Sequence, residues 1–233
     1  MKSFPTAPRS LQRLLVFARL PRLGDVKKRL AADIGDERCL SLYSAMLEDL
    51  LESIGESDPE IAIEIAWTAD GGVDGRAARR AFGDRELIWQ TGKDLGERLV
   101  VAFSERIIFH RSEKIIAIGA DDPSLTRDCI RNAFQLLDSC EWVAGPASDG
   151  GYYLIGCRSA SFHPSVFEKI AWGESTVFAQ TEESVRALGS SLAILPERAD
   201  IDTAAGLEDY LRRFEGGARR VRKLAREWGL HAQ

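Results

Sequence analysis

The sequence predicts an α/β protein whose mainly parallel, mixed central sheet is covered by helices on both faces. Short apolar runs alternate with longer segments of helical period, which is the pattern of strand–helix units. Some of these runs, Ile115 to Ile118 above all, are apolar without alternation, as suits a parallel strand buried on both sides. After Ala144 the pattern changes: a strand follows a Gly-Gly turn directly, which leaves room for antiparallel pairing in the second half.

Residues 1–12 read as a flexible tail outside the fold. Residues 13–233 read as one domain, because no repeat, low-complexity tract or Pro-rich linker divides them. The first strand covers Leu14 to Ala18. Asp36 to Ile54 follows as a helix, with Leu40, Tyr43, Leu47, Leu50, Leu51 and Ile54 at helical spacing. Ile61 to Trp67 and Glu86 to Gln90 are strands, Leu95 to Phe109 a helix, Ile115 to Gly119 a strand and Thr126 to Leu137 a helix. Glu141 to Ala144 and Tyr152 to Cys157 are strands, a helix lies near Ser175 to Leu188, and Leu192 to Leu195 is the last strand. Leu211 to Trp228 places Arg212, Arg213, Arg219, Arg220, Arg222, Lys223 and Arg226 around Val221, Leu224 and Trp228. That stretch predicts an amphipathic helix docked by its apolar residues with a solvated basic face; an anionic membrane surface is the alternative contact.

With 233 residues, 45% of them hydrophobic, the chain can bury a sizeable core and is too apolar to be disordered. Its 31 basic and 36 acidic residues leave a net charge of −5, which argues against nucleic acid as the main partner. Cys39, Cys129, Cys140 and Cys157 are scattered, as are His110, His163 and His231, so neither a zinc knuckle nor a disulfide framework is indicated. Lys2, Arg9 and Arg13 imitate a signal n-region, but the apolar run after them is only Leu14 to Ala18 before Arg19 intervenes. A soluble, cytoplasmic protein without a transmembrane segment is expected.

Four stretches carry possible chemistry. The loop from Arg19 to Leu30 joins the first strand to the first helix and holds Arg22, Lys27, Lys28 and Arg29. Gly24 permits a close turn there, so the loop suits an anionic ligand; read blandly, it is a solvated basic helix end. It is neither a P-loop nor a dinucleotide fingerprint. Gly119-Ala120-Asp121-Asp122-Pro123 ends the most apolar strand, and neighbouring strand residues point to opposite faces, so Asp121 and Asp122 are not expected to share one ligand. The same residues also suit an Asp-Pro turn and a helix cap. Asp149-Gly150-Gly151-Tyr152 reads as a hairpin turn, or as a place where a ligand approaches bare backbone while Asp149 orients a hydroxyl or acts as a base. In Asp200-Ile201-Asp202-Thr203 the two carboxylates share a face if the chain is extended; otherwise Asp202 or Thr203 caps the next helix. Carboxylates at two strand ends beside a cationic loop fit a metal–diphosphate site better than an all-protein metal cage.

The ordered set of a P-x-x-G-x-x-K loop, D-L-G-E-R, G-x-D-x-P, D-G-G-Y-Y, a Trp-Gly pair and D-x-D-T, from about Leu14 to Tyr210, resembles a bacterial family of GT-A-like nucleotide-diphospho-sugar transferases. That family is similar to the 2-phospholactate and molybdenum-cofactor guanylyltransferases. The resemblance implies a GT-A-like three-layer sandwich. It also implies metal-dependent transfer of a sugar from a nucleotide-sugar donor to a small-molecule acceptor. Pro21, Gly24, Lys27 and Arg29 match the loop that wraps the nucleotide phosphates, with Arg19 where a lysine is usual. Asp94 and Gly96, in Asp94 to Arg98, match a segment near the nucleotide; read blandly, that stretch is an ordinary N-terminal helix turn. Asp121 and Asp202 match the carboxylates that hold Mg²⁺ or Mn²⁺, while Asp122 falls at a variable position. Asp149, Gly150, Gly151 and Tyr152 match the acceptor-side turn, and Trp172 with Gly173 a further cleft segment. Asp149 is the first candidate for the acceptor's base and Glu174 the second. Two departures stand out: Lys28 replaces a threonine and Glu174 a small hydroxyl residue. A nucleotidyltransferase releasing pyrophosphate and a non-catalytic nucleotide-binding protein are the alternatives. The donor's base and sugar, the acceptor and a homo-oligomeric state stay open.

Overall fold

The structure is a computed structural model and describes residues 11–55, 60–69, 72, 74–213 and 216–229. Its elements, in chain order, are β1 (Gln12–Arg19), α1 (Lys28–Ile34), α2 (Asp36–Ile54), β2 (Ile61–Thr68), α3 (Gly75–Phe82), β3 (Glu86–Trp89), α4 (Leu95–His110) and β4 (Lys114–Gly119). After these come α5 (Arg127–Leu136), β5 (Trp142–Pro146), β6 (Tyr152–Arg158), α6 (Val177–Ala187), β7 (Leu192–Ile194), α7 (Ala204–Arg213) and α8 (Arg219–Glu227). The sheet runs β3-β2-β1-β4-β6-β5-β7. β6 is antiparallel to both of its neighbours, β4 and β5, and the other pairings are parallel. The mixed character expected after Ala144 therefore resides in β6.

The two faces of the sheet follow from the period of two along each strand. Leu14 and Val16 of β1 pack with Leu50, Leu51 and Ile54 of α2, Ala78 and Phe82 of α3, and Ile130 and Phe134 of α5. Leu15, one residue out of phase, faces the other layer with Leu99 and Phe103 of α4, Val185 of α6, and Phe167 from the segment before α6. A third cluster docks α7 and α8 against α1 and α2 through Leu207, Tyr210, Leu211 and Val221, meeting Leu30, Leu42 and Met46.

Three expectations change. Gln12 belongs to β1, not to the tail, because its backbone pairs with Ile61 and Lys114; the rest of the expected tail, apart from Leu11, lies outside the described residues. α3 was not foreseen: in Gly-Arg-Ala-Ala-Arg-Arg-Ala-Phe only Ala78 and Phe82 are buried, too few to show a period. The single basic helix becomes two, α7 and α8, and α8 is directly preceded by Ala218, which has φ 41°. Its basic face is partly ion-paired as well: Arg219 and Arg220 reach Glu52, and Asp49 accepts from the Arg220 and Val221 amides, capping the helix from α2. No helix among the described residues is long and apolar enough to cross a membrane.

One buried charge network ties the central strands to α4. Glu64 of β2, fully buried, accepts from the Arg106 Nε and NH2 groups at 2.8 and 2.7 Å and is ion-paired with Arg13 of β1. Arg13 Nε in turn donates to Ser112 Oγ at 3.0 Å. Removing the carboxylate leaves two buried guanidiniums without their shared counter-charge, which costs ~3–5 kcal/mol in comparable cases. We expect Glu64→Gln to lower the unfolding free energy in urea by about that amount. A loss under ~1 kcal/mol, the size of a surface pair, would show that the network is solvated.

Candidate active site

The chain leaves β1 towards β2 on one side, while β4 lies on the other, so the loops after β1 and β4 diverge where Phe17 pairs with Gly119. In open α/β sheets such a switch point forms the ligand crevice at the carboxyl ends of the strands. The Leu20 amide bonds to the Thr68 carbonyl at 2.7 Å, anchoring the start of the β1 loop. Gly24 adopts φ 78° with no atom close to its missing Cβ, so it is the dihedral that calls for glycine there. Lys27 also lies in the left-handed region, at φ 47°, an arrangement costing roughly 1–2 kcal/mol for an L-residue. Its carbonyl accepts the first α1 bond, from Ala31 at 2.8 Å.

The Lys27 side chain, only 4% exposed, turns inward and places Nζ 2.8 Å from Asp121 Oδ1 and 2.6 Å from Asp202 Oδ1. Burial alone lowers an ammonium pKa; the Asp121 and Asp202 charges outweigh it and leave the net shift upward, so the group is held charged. The two carboxylates come from opposite ends of the sequence. Asp121 follows β4, Asp202 precedes α7, and the Ile201 amide contacts the Asp121 carbonyl at 3.4 Å. Asp200 joins them: burial first, then the nearby Asp121 charge, push its carboxyl up to about 7, with Asp149 and Asp202 adding and Lys27 opposing. Three carboxylates from two segments, Asp121, Asp200 and Asp202, thus share the field of one buried ammonium, and the Asp149 charge reaches the group through Asp200.

Beside this group lies a pocket of about 300 Å³ lined by Arg19, Asp25, Lys27, Lys28, Arg29 and Asp202. It unites Arg19, Lys27 and Arg29 as expected, and it includes Lys28. The end of β1 is fixed by Tyr43 of α2, whose hydroxyl accepts from the Arg19 amide at 2.8 Å and donates to the Arg19 carbonyl at 3.1 Å. Asp121 and Asp202, at 44% and 42% side-chain exposure, offer hard oxygens suited to Mg²⁺ or Mn²⁺. Among the described residues no three His, Cys, Asp or Glu side chains are grouped to hold a metal ion.

Several expected site residues have other surroundings. Pro21 lines a separate groove of about 1020 Å³ between α2 and α3, along with Arg22, which pairs with Asp74 at 3.1 Å. Asp94 caps α4, accepting from the Glu97 amide at 2.9 Å, and the Glu97 carboxylate accepts from the Lys93 amide at 3.0 Å. Gly96 is a matter of space: a Cβ there would lie 2.6 Å from the Phe167 carbonyl and 2.8 Å from the Trp172 indole. Asp94 thus serves as a helix cap and Gly96 as a point of close packing. Asp122 is buried against Arg198 and accepts from the Ser124 amide at 2.9 Å, a turn-forming use.

On the acceptor side, Asp149 Oδ1 accepts from the Gly151 amide at 2.9 Å in the turn between β5 and β6. Gly150, at φ 89°, accepts from the Phe178 amide at 2.8 Å, and a Cβ would lie 1.9 Å from the Ser175 carbonyl. The Asp149 turn is thereby clamped to the segment bearing Trp172 and the exposed Glu174, and Trp172 meets Tyr152 edge to face at 6.4 Å. Tyr43, Arg198 and the involvement of Asp200 carry little sequence signal, except that Asp200 shares a face with Asp202 in an extended segment.

Comparison with solved structures gives the fold a relative. A protein of Desulfovibrio desulfuricans G20, named as a candidate nucleotide-diphospho-sugar transferase, superposes with a TM-score of 0.87 at 29% identity, over 94% of this chain and 95% of that one. More distant are 4-diphosphocytidyl-2C-methyl-D-erythritol synthase from Anaerococcus prevotii (TM-score 0.53, 9% identity, 87% and 100% covered) and the inositol-1-phosphate CTP transferase from T. maritima (0.50, 15%, 95% and 98%). The chain has the nucleotide-diphospho-sugar transferase fold. The search of curated proteins finds no match. Residues 53–174, just over half of the chain, match the family described as "Uncharacterized protein conserved in bacteria" (DUF2064), and the chain belongs to that family.

Proposed function

We propose that this chain is a metal-dependent transferase that moves a sugar from a nucleotide-diphosphate donor to a small-molecule acceptor. The observation that carries the reading is the Lys27 ammonium between Asp121 and Asp202 at the switch point, beside a pocket edged by Arg19, Lys28 and Arg29. The likeness to the Desulfovibrio protein supports a nucleotide sugar as the donor. Asp121 and Asp202 would hold Mg²⁺ or Mn²⁺, and the bound cation would supply neutralising charge to the diphosphate.

The chain's own groups do the remaining work. Lys27 and Arg29 bring fixed positive charge to the phosphates, where the departing diphosphate accumulates negative charge. Lys28, in the same pocket, contributes a third cation in place of the hydroxyl usual there. Asp149 uses one oxygen to fix its own turn through the Gly151 amide, which leaves the other for the acceptor hydroxyl and its proton. Glu174, exposed on the segment clamped to that turn, is the second base candidate.

Calorimetric titration of nucleoside triphosphates and nucleotide sugars, with and without Mn²⁺, tests this reading. A metal-dependent preference for one nucleotide sugar is expected; a preference for a triphosphate, with pyrophosphate released on turnover, would assign a nucleotidyltransferase instead. Asp121→Asn should melt close to the unsubstituted protein and lose the metal-dependent part of nucleotide affinity; unchanged titrations would remove Asp121 from the site. Lys27→Met should weaken nucleoside diphosphate binding by roughly tenfold or more, the effect of losing a charge-assisted contact of ~1.5 kcal/mol. Nucleoside binding should hardly change, and equal losses would give Lys27 a purely structural role.

A further inference from the structure

We infer that Arg198 is a positioning residue that sets the spacing of Asp121, Asp149 and Asp202, an inference that rests on the site reading proposed above. Its side chain grips the loop after β4: Nε pairs with Asp122, and NH2 donates to the Ser124 carbonyl at 3.1 Å and to Ser124 Oγ at 2.8 Å. Its backbone grips the exit of β5, with the amide donating to the Pro146 carbonyl at 3.1 Å and the carbonyl accepting from the Ser148 amide at 2.9 Å. Along the chain it lies just ahead of Asp200 and Asp202. Thus the loop of Asp121, the turn of Asp149 and the segment of Asp202 meet at one residue.

The grip is directional. The guanidinium lies 5.7 Å from the Tyr153 ring centroid, and the Tyr153 hydroxyl donates to the Pro196 carbonyl at 3.1 Å, holding the approach to Arg198 against β6. Asp122 is 4% exposed at its side chain, so the ion pair is sheltered from screening. A planar fork that bonds one carboxylate and one serine together fixes orientation in a way that an ammonium does not. Loss of the side chain frees the Asp121 loop, while the backbone bonds still hold the Asp149 turn. Carboxylate spacing should suffer, and with it cation affinity, whereas nucleotide contacts made without metal should not.

The test uses the full chain and three variants, Arg198→Met, Arg198→Lys and the double Asp122→Asn/Arg198→Met. Mn²⁺ is titrated alone, with free ion counted by electron paramagnetic resonance, well below each melting temperature. Nucleoside diphosphate binding in EDTA is measured in parallel. We expect Arg198→Met to weaken Mn²⁺ binding about tenfold or more, as loss of the partners behind a metal ligand does. Arg198→Lys should recover part of that loss. The double variant, free of a buried lone charge, should regain melting temperature without regaining Mn²⁺ affinity. EDTA-phase nucleotide binding should stay the same throughout. A folded Arg198→Met protein with unaltered Mn²⁺ affinity would overturn the inference, as would a double variant that recovers affinity along with stability. If the unsubstituted chain binds no Mn²⁺, the reading of the site fails first and this inference with it.

Discussion

An ammonium taken out of water costs several kcal/mol unless opposite charge and hydrogen bonds meet it. Lys27 meets that condition only because Asp121 and Asp202 converge on it. Much of the site follows from this constraint. The β1 loop must turn the lysine inward, which places Lys27 in a left-handed conformation directly before α1. The segment before α7 must return across the sheet to the end of β4, where the Ile201 amide contacts the Asp121 carbonyl. Asp200, carried along in that segment, becomes a carboxyl that ionises reluctantly because it is buried beside like charge.

Topology provides the place, and small residues provide the fit. The sheet reverses its strand order between β1 and β4, opening a crevice over their carboxyl ends. Elsewhere in the fold, two close approaches leave no room for a side chain. Gly96 lets α4 approach Trp172, and Gly150 lets the Asp149 turn approach Ser175. Gly24 differs, since open space surrounds it and only its dihedral matters. Motif glycines in one chain therefore serve two physical ends, and only the structure separates them.

The strands were legible because each is a short apolar run bounded by polar turns, and α2 was legible to the residue from its helical period. The ends of β1 were not: Gln12 joins the ladder through backbone pairing that leaves no trace in side-chain pattern. α3 escaped because its arginines swamp two buried positions. Of the site, the residues on the β1 loop and at the ends of β4 and β7 could be named from motif order. Their mutual geometry could not, since Lys27 lies far in sequence from both of its carboxylates. Sequence position assigned Lys27 to phosphate and the aspartates to metal as separate tasks; the fold makes them one charge cluster. At Asp94 and Gly96 the structure adds a helix cap and a packing contact, of which the helix turn was legible in the sequence and the contact with Trp172 was not.

The most direct measurement is anomalous diffraction at the manganese edge from crystals grown with Mn²⁺ and a nucleoside diphosphate. The account predicts one manganese peak bounded by Asp121 and Asp202, with the diphosphate lying against Lys27 and Arg29. A peak elsewhere, or a diphosphate bound away from Lys27, would contradict it.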